Sequence, residues 1–128
     1  MVPYILAIDA GTTSSRAIVF DKDTKKIGLG QFEFSQYFPK NSWVEHDPNE
    51  IWASQQKAIS SALKAAKINS NEVSAIGITN QRETTIVWDR RSGEPIYNAI
   101  VWQDRRTSDY CSSFSEASIN QVAKKTGL

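Results

Sequence analysis

The sequence predicts an α/β domain built on a mixed sheet, and three observations carry that reading. Two short aliphatic runs near the start of the chain are separated by a turn of a few polar residues. A long stretch from Asp47 repeats its apolar residues at helical spacing, and a further compact apolar run follows it. The expected order is approximately β-β-β-α-β-β-β-α, and an opening hairpin excludes a simple βαβ start.

Each element has a local reason. Ile5–Asp9 is rich enough in aliphatic residues for a buried strand, and Arg16–Phe20 returns as a second after Gly11-Thr12-Thr13-Ser14-Ser15. The charged stretch Asp21–Lys26 turns the chain into a third strand over Ile27–Ser35, where the alternation is imperfect. Asp47 is a good N-cap, Pro48 fits the first helical position and Glu50 stands at capping-box spacing. Ile51, Gln55, Ala58, Ile59, Ala62, Leu63 and Ala66 then form one apolar stripe, and the helix is expected to end near Lys67. Val73–Thr79 reads as a strand, Thr84–Trp88 and Pro95–Tyr97 as a hairpin around Ser92-Gly93, and Ala99–Trp102 as another apolar run. From Thr107 the chain reads as helical, with Gly127 as a C-terminal cap.

Composition narrows the class. The 128 residues are 40% hydrophobic and include four tryptophans, aromatic area that a disordered chain seldom carries. A net charge of +1 supplies no pull toward nucleic acid or an anionic membrane. No stretch approaches the length of a membrane span. The apolar opening Met1–Ile8 lacks a basic leader and runs into Asp9, which argues against a signal peptide. The single cysteine, Cys111, has no internal partner for a disulfide, which suits a cytoplasmic location. The chain stops at Thr126-Gly127-Leu128 without tail-like composition, as a cut inside a longer chain would.

Three segments hold chemistry. In Asp9-Ala10-Gly11-Thr12-Thr13-Ser14-Ser15-Arg16 an acid at a strand end precedes a glycine, four hydroxyl residues and a cation. Turn amides and hydroxyls there can converge on phosphate oxygens, Arg16 adds a charged donor, and Asp9 suits Mg²⁺ through its water shell. This is not a Walker A loop, because no Gly-Lys-Ser/Thr follows. Composition alone leaves a hydroxyl-rich hairpin turn equally open. In Thr79–Thr85, Arg82 and Glu83 offer donors and acceptors together, a set that satisfies polyol hydroxyls. A solvated loop with an exposed ion pair fits the same composition. In Trp102–Thr107 an indole leads into a charged cluster, either packed against a carbon backbone or serving as a core residue before a helix. His46 reads as part of a helix-start loop; with no second histidine or cysteine it builds no zinc site, and no Gly-x-Ser-x-Gly elbow is present.

Taken together the segments carry a resemblance. DAGTTSSRAIVFD resembles the first phosphate motif of the sugar-kinase, Hsp70 and actin superfamily, and WVEHDPNEIW resembles a stretch shared by FGGY carbohydrate kinases. TNQRETTIVWDRRSGEPIYNAIVWQDRRT is similar to the glycerol-phosphorylating members, whose relatives place a Gln-Met-His-like sequence where this chain has Gln81-Arg82-Glu83. The match runs from Ile5 to Leu128 with the motifs in family order.

The resemblance implies a ribonuclease-H-like (actin/hexokinase/Hsp70-like) ATPase fold in two domains around a cleft, of which residues 1–128 are an incomplete piece of the N-terminal domain. It implies transfer of the ATP γ-phosphoryl to the 3-hydroxyl of glycerol, giving sn-glycerol 3-phosphate and ADP. By similarity Thr12, Thr13, Ser14 and Arg16 contact the nucleotide phosphates and Asp9 lies near Mg²⁺. Arg82 and Glu83 bind glycerol hydroxyls and Trp102 lies against its carbons. The general base and the adenine side are expected on the remainder of the kinase chain, with a homo-oligomer in the full-length protein and sheet edges left open in the piece alone. Ala10 departs from the glutamine that relatives often carry. A non-catalytic binding module, or a piece of another FGGY sugar kinase, is the alternative.

Overall fold

The computed structural model describes residues 4–127; Met1–Pro3 of the apolar opening and Leu128 lie outside them. Strands β1 (Tyr4–Ala10) and β2 (Ser14–Phe20) form the expected antiparallel hairpin, with Asp9 opposite Arg16. Strand β3 covers Lys26–Glu33 and continues the meander on β2, ending two residues before the predicted Ser35. After helix α1 (Pro48–Ala66), strand β4 (Val73–Thr79) returns parallel to β1, so the sheet order is β3-β2-β1-β4. A long helical crossover is what a parallel neighbour requires.

Helix α1 starts as its sequence says. Asp47 is extended and accepts a hydrogen bond from the Asn49 amide, and Pro48 opens the first turn. The capping-box expectation for Glu50 is corrected: its carboxylate reaches out of the helix to the Ser35 amide at 2.9 Å and the Tyr37 hydroxyl at 2.6 Å. It thus ties the strand exit to the helix. Lys67 closes the helix in the left-handed region, φ 56°, donating back to the Leu63 and Lys64 carbonyls.

The core lies between α1 and the sheet, where Leu6, Ala17, Val19, Ala58 and Ala62 are buried. The approach is close because it is built from small residues. A Cβ at Gly30 would fall 2.1 Å from the Ala58 carbonyl oxygen, and one at Gly28 would fall 2.2 Å from that of Ala62. At the helix end nearer the β1–β2 turn the interface turns polar, with the Ser15 and Ser54 hydroxyls 2.7 Å apart and Gln55 donating to the Arg16 carbonyl.

The remainder departs from its local pattern. Glu45–His46 forms a short strand, β5, antiparallel to β6 (Ala99–Ile100). His46, expected in a helix-start loop, is fully buried in this strand opposite Ala99, against Gln36 and Phe34. The run Ala99–Trp102 pairs over two residues only. The hairpin around Gly93 reverses where expected, with hydrogen bonds from Asp89 to Glu94 and from Ile96 to Val87. It makes an isolated Trp88–Pro95 bridge and no ladder, since Pro95 has no amide to donate. The C-terminal helical region splits into α2 (Ser108–Ser112) and α3 (Glu116–Thr126), the second capped by Ser115 and stopped by Gly127 at φ 78°. Strand β4 forms the outer edge of the described sheet, with Ile78 74% exposed. Among the described residues no helix is long and apolar enough to cross a membrane.

Candidate active-site cleft

The β1–β2 turn, the loop after β4 and the segment after β6 meet in one open cleft of about 440 Å³. From the turn come Asp9, Ala10, Gly11 and Thr12; from the loop Asn80, Gln81, Arg82 and Glu83; from the last segment Trp102. This position follows from topology. Strands β1 and β4 are parallel neighbours, Asp9 opposite Thr79, so both chains leave the sheet at the same end. Crevices outside the carboxyl ends of parallel strands are recurrent ligand sites.

Hydrogen bonds fix the three segments to one another. Gln81 Nε2 donates to the Gly11 carbonyl at 2.9 Å, and the Thr84 hydroxyl donates to Gln81 Oε1 at 2.6 Å. The Trp102 amide donates to that same hydroxyl at 3.3 Å, and the indole Nε1 donates to the Thr12 hydroxyl at 3.1 Å. Gln36 Nε2 supports the turn from behind through the Thr12 carbonyl, at 3.2 Å. The other end of Gln36 holds His46, Oε1 to Nε2 at 2.6 Å.

The chain turns sharply at Glu83, φ 59°, where the Thr84 amide meets the Gln81 carbonyl. A non-glycine residue in the left-handed region is uncommon and carries strain of roughly 1–2 kcal/mol. The bonds made by Gln81 and Thr84 sustain that conformation and hold Arg82 and Glu83 at the cleft, both exposed.

The predicted site residues divide. Asp9, Thr12, Arg82, Glu83 and Trp102 share the cleft. Thr13 is exposed on the turn, and Ser14 is buried with its hydroxyl accepting from Gln31 Nε2 at 2.9 Å. Arg16 stands beside Asp9, the nearest charged atoms 4.0 Å apart, outside the cleft lining. Its Nε is buried with no hydrogen-bond partner among the described residues. Gln36, Gln81 and Thr84 went unassigned in the sequence. Gln81 lies inside the polar motif, but its bond to Gly11, 70 positions earlier, leaves no local trace.

Residues 4–128 match the FGGY family of carbohydrate kinases, N-terminal domain. The chain belongs to that family. A glycerol kinase of Petrotoga mobilis is 56% identical over 129 residues, spanning 100% of this chain and 26% of the relative. Among solved structures, Plasmodium falciparum glycerol kinase with ADP superimposes with a TM-score of 0.78 at 33% identity, over 92% of this chain and 24% of the other. Gluconate kinase from Lactobacillus acidophilus gives 0.73 at 26% identity, over 99% and 23%. The chain therefore spans about a quarter of the length of the curated relatives it matches. The actin/hexokinase-like architecture expected from the motifs is the fold these FGGY kinases share.

Proposed function

We propose that the protein carrying this chain phosphorylates glycerol with ATP, and that residues 1–128 supply the first phosphate turn and much of the polyol site. One observation carries the reading: Arg82, Glu83 and Trp102 occupy the same cleft as Asp9 and Thr12. Supporting it, relatives at 56% identity are glycerol kinases, and the Arg82-Glu83 pair stands in the loop that faces the turn.

The chemistry follows from the side chains. A polyol hydroxyl both donates and accepts, so a guanidinium and a carboxylate side by side complete its hydrogen bonds. The half-exposed indole of Trp102, 46% accessible, offers its face to the carbons. The nucleotide supplies the γ-phosphoryl group, with Mg²⁺ neutralising oxygen charge. The residues present fit both: Asp9 is a half-buried carboxylate lining the cleft, and the buried Arg16 Nε beside it is a donor with no partner among the described residues. Thr12, Thr13 and Ser14 are assigned to the phosphates with Arg16; Ser14 accepts from Gln31 Nε2 and keeps its hydroxyl proton to donate. The protein's work is to hold donor and acceptor in line, which is the main source of rate in phosphoryl transfer.

The proton acceptor and the adenine side belong to the rest of the kinase chain, so this segment alone is proposed to be inactive. Its free Cys111 thiol is exposed, consistent with a cytoplasmic enzyme. The test is steady-state kinetics on the full-length parent with Arg82→Ala. Losing a charge-assisted hydrogen bond of about 1.5–3 kcal/mol should raise the glycerol KM about 10- to 150-fold. A parent that prefers a pentulose or gluconate overturns the substrate; unchanged KM in the variant overturns the site.

A further inference from the structure

Gln81 and Thr84 form a hydrogen-bonded ring whose polarity has one solution. The Gly11 carbonyl can only accept, so the Gln81 amide nitrogen must face it. Gln81 Oε1 then faces Thr84, whose hydroxyl donates there. That leaves the hydroxyl lone pairs for the Trp102 amide, which can only donate. The indole Nε1 on Thr12 closes the ring back onto the residue next to Gly11. Both side chains are half-buried, whereas Arg82 and Glu83 between them are exposed and line the cleft.

The geometry points to Gln81 and Thr84 as positioning residues for the reaction, setting the separation between the phosphate-bearing turn and the polyol-bearing loop. The inference rests on the proposed glycerol kinase function and deepens it. Neither residue needs to touch glycerol or the phosphates. Their bonds hold Gly11 and Thr12 on one side and Trp102 on the other, and the strained Glu83 turn is hung between them. Moving the polyol loop relative to the turn requires breaking this ring, and an in-line transfer loses rate steeply with small displacements.

The expected signature is a split between kcat and KM. Thr84→Val keeps the side-chain volume and removes the hydroxyl, leaving Gln81 Oε1 and the Trp102 amide without their partner. Arg82, Glu83 and Trp102 remain to bind glycerol. In the full-length enzyme, kcat should fall about tenfold or more while the glycerol KM changes less than about threefold. Thr84→Ser restores the hydroxyl and should recover most of kcat. Gln81→Ala should show the same split, and the double variant should lose less than the product of the single losses, because both act through one ring. Thermal unfolding of each variant, compared with Thr84→Ser, separates a rate effect from loss of folded protein. If wild type fails to phosphorylate glycerol, the proposed function falls and this inference with it. If wild type is active and Thr84→Val and Gln81→Ala keep its kcat, or lose KM and kcat together without rescue by serine, the positioning role alone is overturned.

Discussion

The guanidinium of Arg106 donates to the buried carboxylate of Glu45 across 2.7 Å. The same group binds Asp104 at 2.8 Å and lies 3.7 Å over the ring of Trp43, so one cation neutralises two buried acids and packs on an indole. Tyr97 and Asn98 complete the Glu45 carboxylate. Arg106→Ala would strand both carboxylates in an interior that cannot solvate them. The expected loss is about 3–5 kcal/mol, read from urea unfolding of the protein carrying this chain. An effect below about 1 kcal/mol would mean that water replaces the guanidinium freely.

The same cluster sets an acid limit. Arg106 holds the Asp104 carboxyl at about 2, below its ordinary 3.8. Burial opposes the charge on Glu45, but hydrogen bonds from Arg106, Asn98 and Tyr97 outweigh it and leave its carboxyl below the ordinary value. Depressed carboxyls contribute stability that is complete above their unfolded values and is lost as pH falls through the folded ones. For Asp104 that window runs from about pH 4 to about pH 2 and is worth on the order of 2 kcal/mol. His46 acts earlier: burial lowers its value from 6.5, so the unfolded chain takes up a proton that the fold resists. Thermal midpoints should therefore decline first as pH drops below 6.5 and again below 4. His46→Gln should remove the first decline and spare the second.

Gly30 measures how tightly α1 lies on β3. A methyl group there would sit 2.1 Å from the Ala58 carbonyl oxygen and 2.9 Å from Ser61 Cβ, so backbone must move. Gly30→Ala is expected to destabilise by about 1–3 kcal/mol, seen as a lower denaturation midpoint. Gly77→Ala, where no atom lies within 4 Å, is the control and should fall within about 0.5 kcal/mol of wild type.

Under the proposed function, Glu83 trades stability against binding. Its left-handed conformation costs about 1–2 kcal/mol, and a glycine would relieve it while losing about 0.5–1 kcal/mol to unfolded-state entropy. Glu83→Gly should therefore stabilise the fold slightly, by up to about 1 kcal/mol, and still raise the glycerol KM. Loss of both stability and binding would show that the carboxylate supports the fold instead.

Local signals read from the sequence were those that act within one turn. Asp47 and Pro48 start α1, Gly127 ends α3 in the left-handed region, and the polar turn at Gly11 reverses β1 into β2. The motif residues of the cleft were also visible as types, since Asp9, Thr12, Arg82, Glu83 and Trp102 all reach it. Partnership across the chain was not. Glu45 finds Arg106 61 positions on, Gln81 reaches back 70 to Gly11, and Trp102 reaches back 90 to Thr12. Which polar residue is buried, which hydroxyl is spent on a neighbouring strand and which carboxylate turns away from its cap depend on those distant partners. Propensity acts over a few residues, whereas burial and hydrogen-bond satisfaction are settled only once the sheet has brought remote segments together.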